Sequence, residues 1–86
     1  MNRIALVEDH ERLSTLVRKA LAGAGIEVDV FDRIASARHA IAETAYGAIV
    51  VDRGLPDGDG LDLVKWIQQN SASVPVAAGS GRIVSG

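Results

Sequence analysis

Apolar positions along the chain change period several times, and each change marks an element. Ile4–Val7 is a continuous apolar run stopped by Glu8 and Asp9, the pattern of a strand buried on both faces. From Glu11 the period turns helical: Leu13, Leu16, Val17, Ala20, Leu21 and Ala24 share one side, with Arg12, Arg18 and Lys19 on the other. Gly25 stops that helix. Ile26, Val28 and Val30 then alternate with Glu27 and Asp29, which predicts a half-exposed strand. An Ala-rich helix over Ser36–Thr44 follows, with Ser36 as its candidate N-cap. Ala48–Val51 is a second continuous apolar run, ended by Asp52. The turn Gly54-Leu55-Pro56-Asp57-Gly58-Asp59-Gly60 leads into a third helix carrying Leu61, Val64, Lys65 and Ile67. Val74–Ala78 reads as a fourth strand, weak because two of its residues are alanine.

Regular alternation of strand and helix predicts an α/β fold with a parallel sheet joined by right-handed crossovers. The two continuous apolar strands belong at the centre and the alternating one at an edge. The spatial order is therefore 2-1-3-4, and the chain reverses its winding direction between strands 1 and 3. No internal repeat or linker interrupts residues 1–86, which are expected to form one domain. The Gly/Ser-rich stretch from Gly79 to Gly86 is expected to be looser than the rest.

Composition narrows the chemistry. Phe31, Tyr46 and Trp66 are the whole aromatic complement, so the core is aliphatic. The net charge of −2, with no Lys/Arg cluster, argues against nucleic-acid binding through a basic face. Without cysteine there is no disulfide, thiolate metal site or thiol nucleophile. No apolar run approaches a membrane span or a secretory signal, and a cytoplasmic location with no membrane contact is the expectation. Asp57-Gly58-Asp59-Gly60-Leu61-Asp62 lacks the oxygen ligand, glycine and glutamate that a calcium loop requires after its first acids, so turn chemistry accounts for it. No Walker loop, G-x-G-x-x-G or G-x-S-x-G segment is present.

Ligands of open α/β sheets bind beyond the carboxyl ends of the strands, at the winding reversal. Glu8, Asp9 and Asp52 stand there. Adjacent strands lie about 4.8 Å apart, so the three carboxylates are expected to cluster around one ion. Their mutual repulsion would push at least one pKa upward, and a hard divalent cation such as Mg²⁺ relieves it. Such an ion also positions phosphoryl oxygens for attack by a carboxylate. Asp52 is the candidate nucleophile, because the following turn separates it from the next helix and leaves it no cap to make. Asp9 has an alternative as cap of the first helix, and Glu8 as a solvated strand end. His10 is a candidate ligand, although a surface position at a helix start explains it as well; His39 reads as a helix-surface residue.

These residues resemble the receiver domain of two-component response regulators, over Arg3 to about Arg82. Ile4-Ala5-Leu6-Val7-Glu8-Asp9 is similar to that family's first strand and acidic pair. Val50-Val51-Asp52-Arg53-Gly54-Leu55-Pro56-Asp57-Gly58-Asp59-Gly60 is similar to its phospho-acceptor segment, particularly in the transcription factors that carry a winged-helix effector. Pro75-Val76-Ala77-Ala78-Gly79-Ser80-Gly81-Arg82 resembles its fourth strand.

The resemblance implies a flavodoxin-like, receiver-type sheet. It implies that Asp52 accepts a phosphoryl group from a sensor histidine kinase, a phosphotransfer protein or a small phosphodonor. Glu8, Asp9, Asp52 and the Gly54 carbonyl would hold Mg²⁺, and Ser80 would be the switch hydroxyl. The first helix would serve kinase docking, in a signalling module and not a turnover enzyme. A receiver continues into a further helix, a strand bearing a lysine and a last helix. Here the lysines are Lys19 and Lys65, and Arg53 stands where an uncharged residue is usual. A receiver without its final helix-strand-helix should leave the fourth strand as an open edge and expose Leu6, Val51 and the first helix. Homodimerisation by edge pairing or segment exchange is the expectation that follows. The alternative is a degenerate receiver acting as an interaction or dimerisation module without phosphoryl chemistry. A metal-dependent phosphatase or flavin carrier is a poor match, with neither Asp-x-Asp after the first strand nor a Ser/Thr-rich phosphate loop.

Overall fold

Alternation of apolar runs with amphipathic segments gives ten elements in the computed structural model, which describes residues 2–52, 54–70, 74–78 and, as backbone only, 82–84. In chain order they are β1 (Arg3–Val7), α1 (Glu11–Ala22), β2 (Glu27–Phe31), α2 (Ile34–Glu43), β3 (Ala48–Val51), β4 (Gly54–Leu55), β5 (Gly58–Asp59), α3 (Gly60–Asn70), β6 (Val76–Ala78) and β7 (Arg82–Val84). The main sheet has the order β2-β1-β3-β6-β7. Its first four strands are parallel, in the 2-1-3-4 order that the patterning predicts, with alternating β2 at one edge. Among the described residues no helix is long and apolar enough to cross a membrane.

The opposite edge differs from expectation. β6 is not open: β7 pairs with it antiparallel, Ala78 facing Arg82 and Val76 facing Val84. A short return strand thus takes up hydrogen-bonding groups that β6 would otherwise leave exposed. Ser80 and Arg53 lie outside the described residues.

Period-2 alternation divides the sheet into two faces. Ala5, Val7, Ile49, Val51, Val76 and Ala78 pack with Ala37 and Ile41 of α2 and Leu63, Val64 and Ile67 of α3 in one aliphatic core. The Arg38 guanidinium lies 4.9 Å from the Trp66 ring centre and ties α2 to α3 at the rim of that core. On the other face Leu6 sits between Val30 and Val50, in a groove that Leu13 and Val17 of α1 also line. Leu6 is only 4% exposed and Val51 only 1%, contrary to expectation. Leu6 is mid-sheet beneath α1, and Val51 points to the face that α2 and α3 cover. The exposure falls on α1 itself, at Leu13 and Leu16, which are 48% and 60% exposed.

Helix ends also depart from the sequence reading. α1 has His10 at its N-cap with no side-chain cap, so Asp9 does not cap it. Gly25 follows α1 with φ +79°, where the missing Cβ removes the left-handed penalty, and the Ile26 N–H returns to the Leu21 carbonyl at 2.9 Å. α2 starts at Ile34, and Ser36 is inside it, its hydroxyl donating to the Arg33 carbonyl. The cap comes from far along the chain: Asp57 accepts the N–H groups of Ile34 and Ala35 at 2.8 and 3.1 Å.

Candidate functional site

The backbone ladder sets the spacing of the acids. Val7 and Val51 are paired at the carboxyl ends of β1 and β3. Hydrogen bonding runs one residue further, the Asp52 N–H donating to the Val7 carbonyl at 2.9 Å and the Glu8 N–H to the Phe31 carbonyl at 2.8 Å. Three strands therefore hold Glu8 and Asp52 side by side in the crevice at the winding reversal. One ligand atom from each of Glu8, Asp9, His10 and Asp52 lies within 4.8 Å of all the others. The structure brings together the three acids expected to converge, and adds His10.

Glu8 is the most enclosed of the four, 7% exposed. Its Oε2 accepts the Asp9 N–H at 3.1 Å and the His10 N–H at 3.4 Å, and lies 3.2 Å from His10 Nδ1. Burial raises the Glu8 pKa, and the neighbouring Asp52 carboxyl raises it further, against an opposing pull from His10. The upward shift expected of crowded carboxylates thus falls on the member that water reaches least. His10 Nδ1 is also 3.4 Å from Asp9 Oδ1. Its hydrogen bond to Glu8 and the Asp9 charge raise its pKa. Hard oxygen donors, one of them buried with its charge disfavoured, suit a divalent cation such as Mg²⁺.

The turn after Asp52 is anchored on two sides. β4 and β5 form a two-residue hairpin, Gly54 facing Asp59, and Asp57 fastens it to α2. A Cβ built on Gly60 would lie 2.2 Å from the Asp52 carbonyl oxygen and 2.8 Å from Val51 Cγ1, so the first turn of α3 sits directly against the Asp52 backbone. Asp59 then accepts the Leu61 N–H at 2.9 Å. Gly54 itself is exposed at the start of β4. His39 is on the outer face of α2, 77% exposed and 3.6 Å from Glu43, apart from the acidic cluster.

The sequence reading missed the Asp57 clamp and the close approach of Gly60. The second had a signal, a glycine at the junction of turn and helix; the first joins residues 23 apart and leaves no local pattern.

The family model described as "Response regulator receiver domain" matches residues 4–84. The KDP operon transcriptional regulatory protein KdpE of Escherichia coli is 34% identical over 82 residues, 95% of this chain and 36% of that protein. The virulence transcriptional regulatory protein PhoP of Salmonella typhimurium is 33% identical over 76 residues, 88% of this chain and 34% of that protein. The chain thus spans about a third of the length of these relatives. Among solved structures, the non-phosphorylated HemR receiver domain of Leptospira biflexa superposes with a TM-score of 0.85 at 31% identity, covering 91% of this chain and 63% of that one. The beryllofluoride-activated NtrC4 receiver domain, a dimer in solution, gives 0.87 at 29%, covering 91% and 64%. Fold, strand-end acids and the match over nearly the whole chain agree: the protein belongs to the response regulator receiver domain family.

Proposed function

We propose that this chain accepts a phosphoryl group on Asp52 in two-component signalling, from a sensor histidine kinase, a phosphotransfer protein or a small phosphodonor. The observation that carries this reading is the convergence of Glu8, Asp9 and Asp52 within 4.8 Å at the carboxyl ends of adjacent strands. Asp9, Asp52 and the Gly54 carbonyl would hold Mg²⁺, with Glu8 directly or through water. The bound ion supplies positive charge that offsets repulsion between the acids and the phosphoryl oxygens. A carboxylate oxygen of Asp52 forms the new bond to phosphorus. The phosphorus–nitrogen bond of the donor phosphohistidine breaks, and the departing imidazole keeps the electron pair and gains a proton. Glu8, fixed by two backbone N–H groups, keeps the acidic pair oriented. Ser80 would donate a hydrogen bond from its hydroxyl to an oxygen of the phosphoryl group on Asp52, and the cytoplasm is where such donors act.

The test is intact mass after incubation with acetyl phosphate and Mg²⁺, wild type against Asp52→Asn. The expected result is a gain of one phosphoryl mass by the wild type alone; no gain, or the same gain in both, refutes the reading. Exposed Leu13 and Leu16 on α1, together with the dimeric state of the NtrC4 receiver, support self-association as a second property. Light scattering on eluting protein, with and without Mg²⁺ and beryllofluoride, tests it, and a monomer under all conditions would contradict it.

A further inference from the structure

His10 is the one nitrogen donor in the cluster, and nothing in the phosphoryl-transfer reading uses it. Its ring is 73% exposed, yet Nδ1 faces inward, 3.2 Å from Glu8 Oε2 and 3.4 Å from Asp9 Oδ1. The position is built into the chain. His10 is the N-cap of α1, in an extended conformation with φ −85° and ψ 104°, and its own N–H points to Glu8 Oε2. The strand end therefore holds the ring over the mouth of the acidic crevice.

Neighbouring ligands lie about 3.0 Å apart around an octahedral ion with bonds of about 2.1 Å, and about 3.4 Å apart around a tetrahedral Zn²⁺ with bonds of the same length. The two distances from His10 Nδ1 fall in that range, so the imidazole stands where a further ligand of the same ion would. An imidazole nitrogen adds little for Mg²⁺, which prefers oxygen and water, but much for Zn²⁺, Ni²⁺ or Cu²⁺. We propose that His10 is a ligand that lets the acidic crevice bind a first-row transition ion, through His10 Nδ1 together with the carboxylates of Glu8, Asp9 and Asp52, in competition with Mg²⁺. This inference rests on the reading of the crevice as a cation site and adds which ions it selects. His10 is then a specificity-determining residue: oxygen donors alone would serve Mg²⁺, and the imidazole admits the softer ion.

Zn²⁺ is the probe, because it is diamagnetic and binds imidazole nitrogen and carboxylate oxygen together. Calorimetry measures Zn²⁺ and Mg²⁺ affinities for the wild type, His10→Ala and His39→Ala. In parallel, ¹⁵N-histidine spectra follow both imidazoles during each titration. The expected result is that Zn²⁺ moves the Nδ1 resonance of His10 much further than Mg²⁺ does, because Mg²⁺ acts on the ring only through the carboxylates beside it. His10→Ala should weaken Zn²⁺ binding roughly tenfold or more and Mg²⁺ binding less than about twofold. His39→Ala should change neither. If His10→Ala weakens both ions equally, or leaves Zn²⁺ binding intact, the ring only steadies Glu8 and the inference is wrong, while the cation site stands. If the wild type binds neither ion, the inference fails together with the cation site.

Discussion

Replacing Gly60 by alanine tests how tightly the candidate acceptor is held. The added Cβ would lie 2.2 Å from the Asp52 carbonyl oxygen, where ordinary contact begins at 3.4 Å, so the two backbones must separate by about 1.2 Å (3.4 − 2.2). A further contact at 2.8 Å with Val51 Cγ1 blocks escape toward the core. Overpacking of this kind costs about 1–3 kcal/mol. A backbone carbonyl has no rotamer to change, so about 2–3 kcal/mol is the fitting part of that range. Alanine returns up to about 1 kcal/mol of helix propensity, and less at a first helical position. The net expectation is a loss of about 2 kcal/mol, or a fall in Tm of about 8–16 °C for a chain of this size. Gly54→Ala is the control, because a Cβ there meets nothing within 4 Å and its cost should stay within about 0.5 kcal/mol. Thermal denaturation followed by circular dichroism measures both, and Mg²⁺ titration of Gly60→Ala should show weakened binding as Asp52 is displaced. Equal melting of the two variants would refute the claim that α3 is pressed against the Asp52 backbone.

Three further outcomes follow from the polar contacts. Glu8→Gln should raise Tm by a few degrees without divalent ions and reduce the stabilisation that Mg²⁺ brings. The raised Glu8 pKa means its contribution is fully present below the ordinary glutamate range and is lost as pH rises through the folded value. Asp57→Ala should lower Tm by a few degrees and flatten the acid limb of the stability profile. The Asp57 pKa is held down chiefly by the Ile34 N–H, so its contribution is present above the ordinary aspartate range and lost as pH falls through the folded value. Tyr46 is buried and donates to Asp29 at 2.7 Å, and Tyr46→Phe should cost about 1–2 kcal/mol by urea denaturation. As the chain has one tyrosine, absorbance titration of the wild type should reach its midpoint near the value of about 12 to which burial and Asp29 push the phenol. Stability from that phenol persists below about pH 10 and is lost between there and about 12.

The parallel sheet was legible because Ile4–Val7 of β1 and Ala48–Val51 of β3 are uninterrupted apolar runs, each closed by an acid. The same runs locate Glu8, Asp9 and Asp52, since in a parallel sheet strand ends and ligand crevice coincide. What escaped the sequence depends on contacts across the fold. Asp57 caps α2 because the β4–β5 hairpin folds back against it, and the local signal at Ser36 pointed elsewhere. β7 is only three residues long, two of them β-branched, among Gly and Ser neighbours; it is too short to stand out as a run of its own, and pairing with β6 makes it a strand. Leu6 and Val51 lose their exposure because they lie inside the sheet, whereas Leu13 and Leu16 lie on a helix that only one layer faces. His10 looked like a surface residue and is one, and its inward nitrogen follows from the turn of the chain between β1 and α1.

Chemical identification of the acceptor residue is the most direct test. The protein is phosphorylated with acetyl phosphate in Mg²⁺, reduced with borohydride, which converts an aspartyl phosphate to homoserine, and sequenced by tandem mass spectrometry. Homoserine at position 52, and its disappearance when Mg²⁺ is withheld, is the predicted result. Homoserine at another aspartate, or none in wild-type protein that has melted normally beforehand, would contradict the assignment of Asp52 as the phosphoryl acceptor.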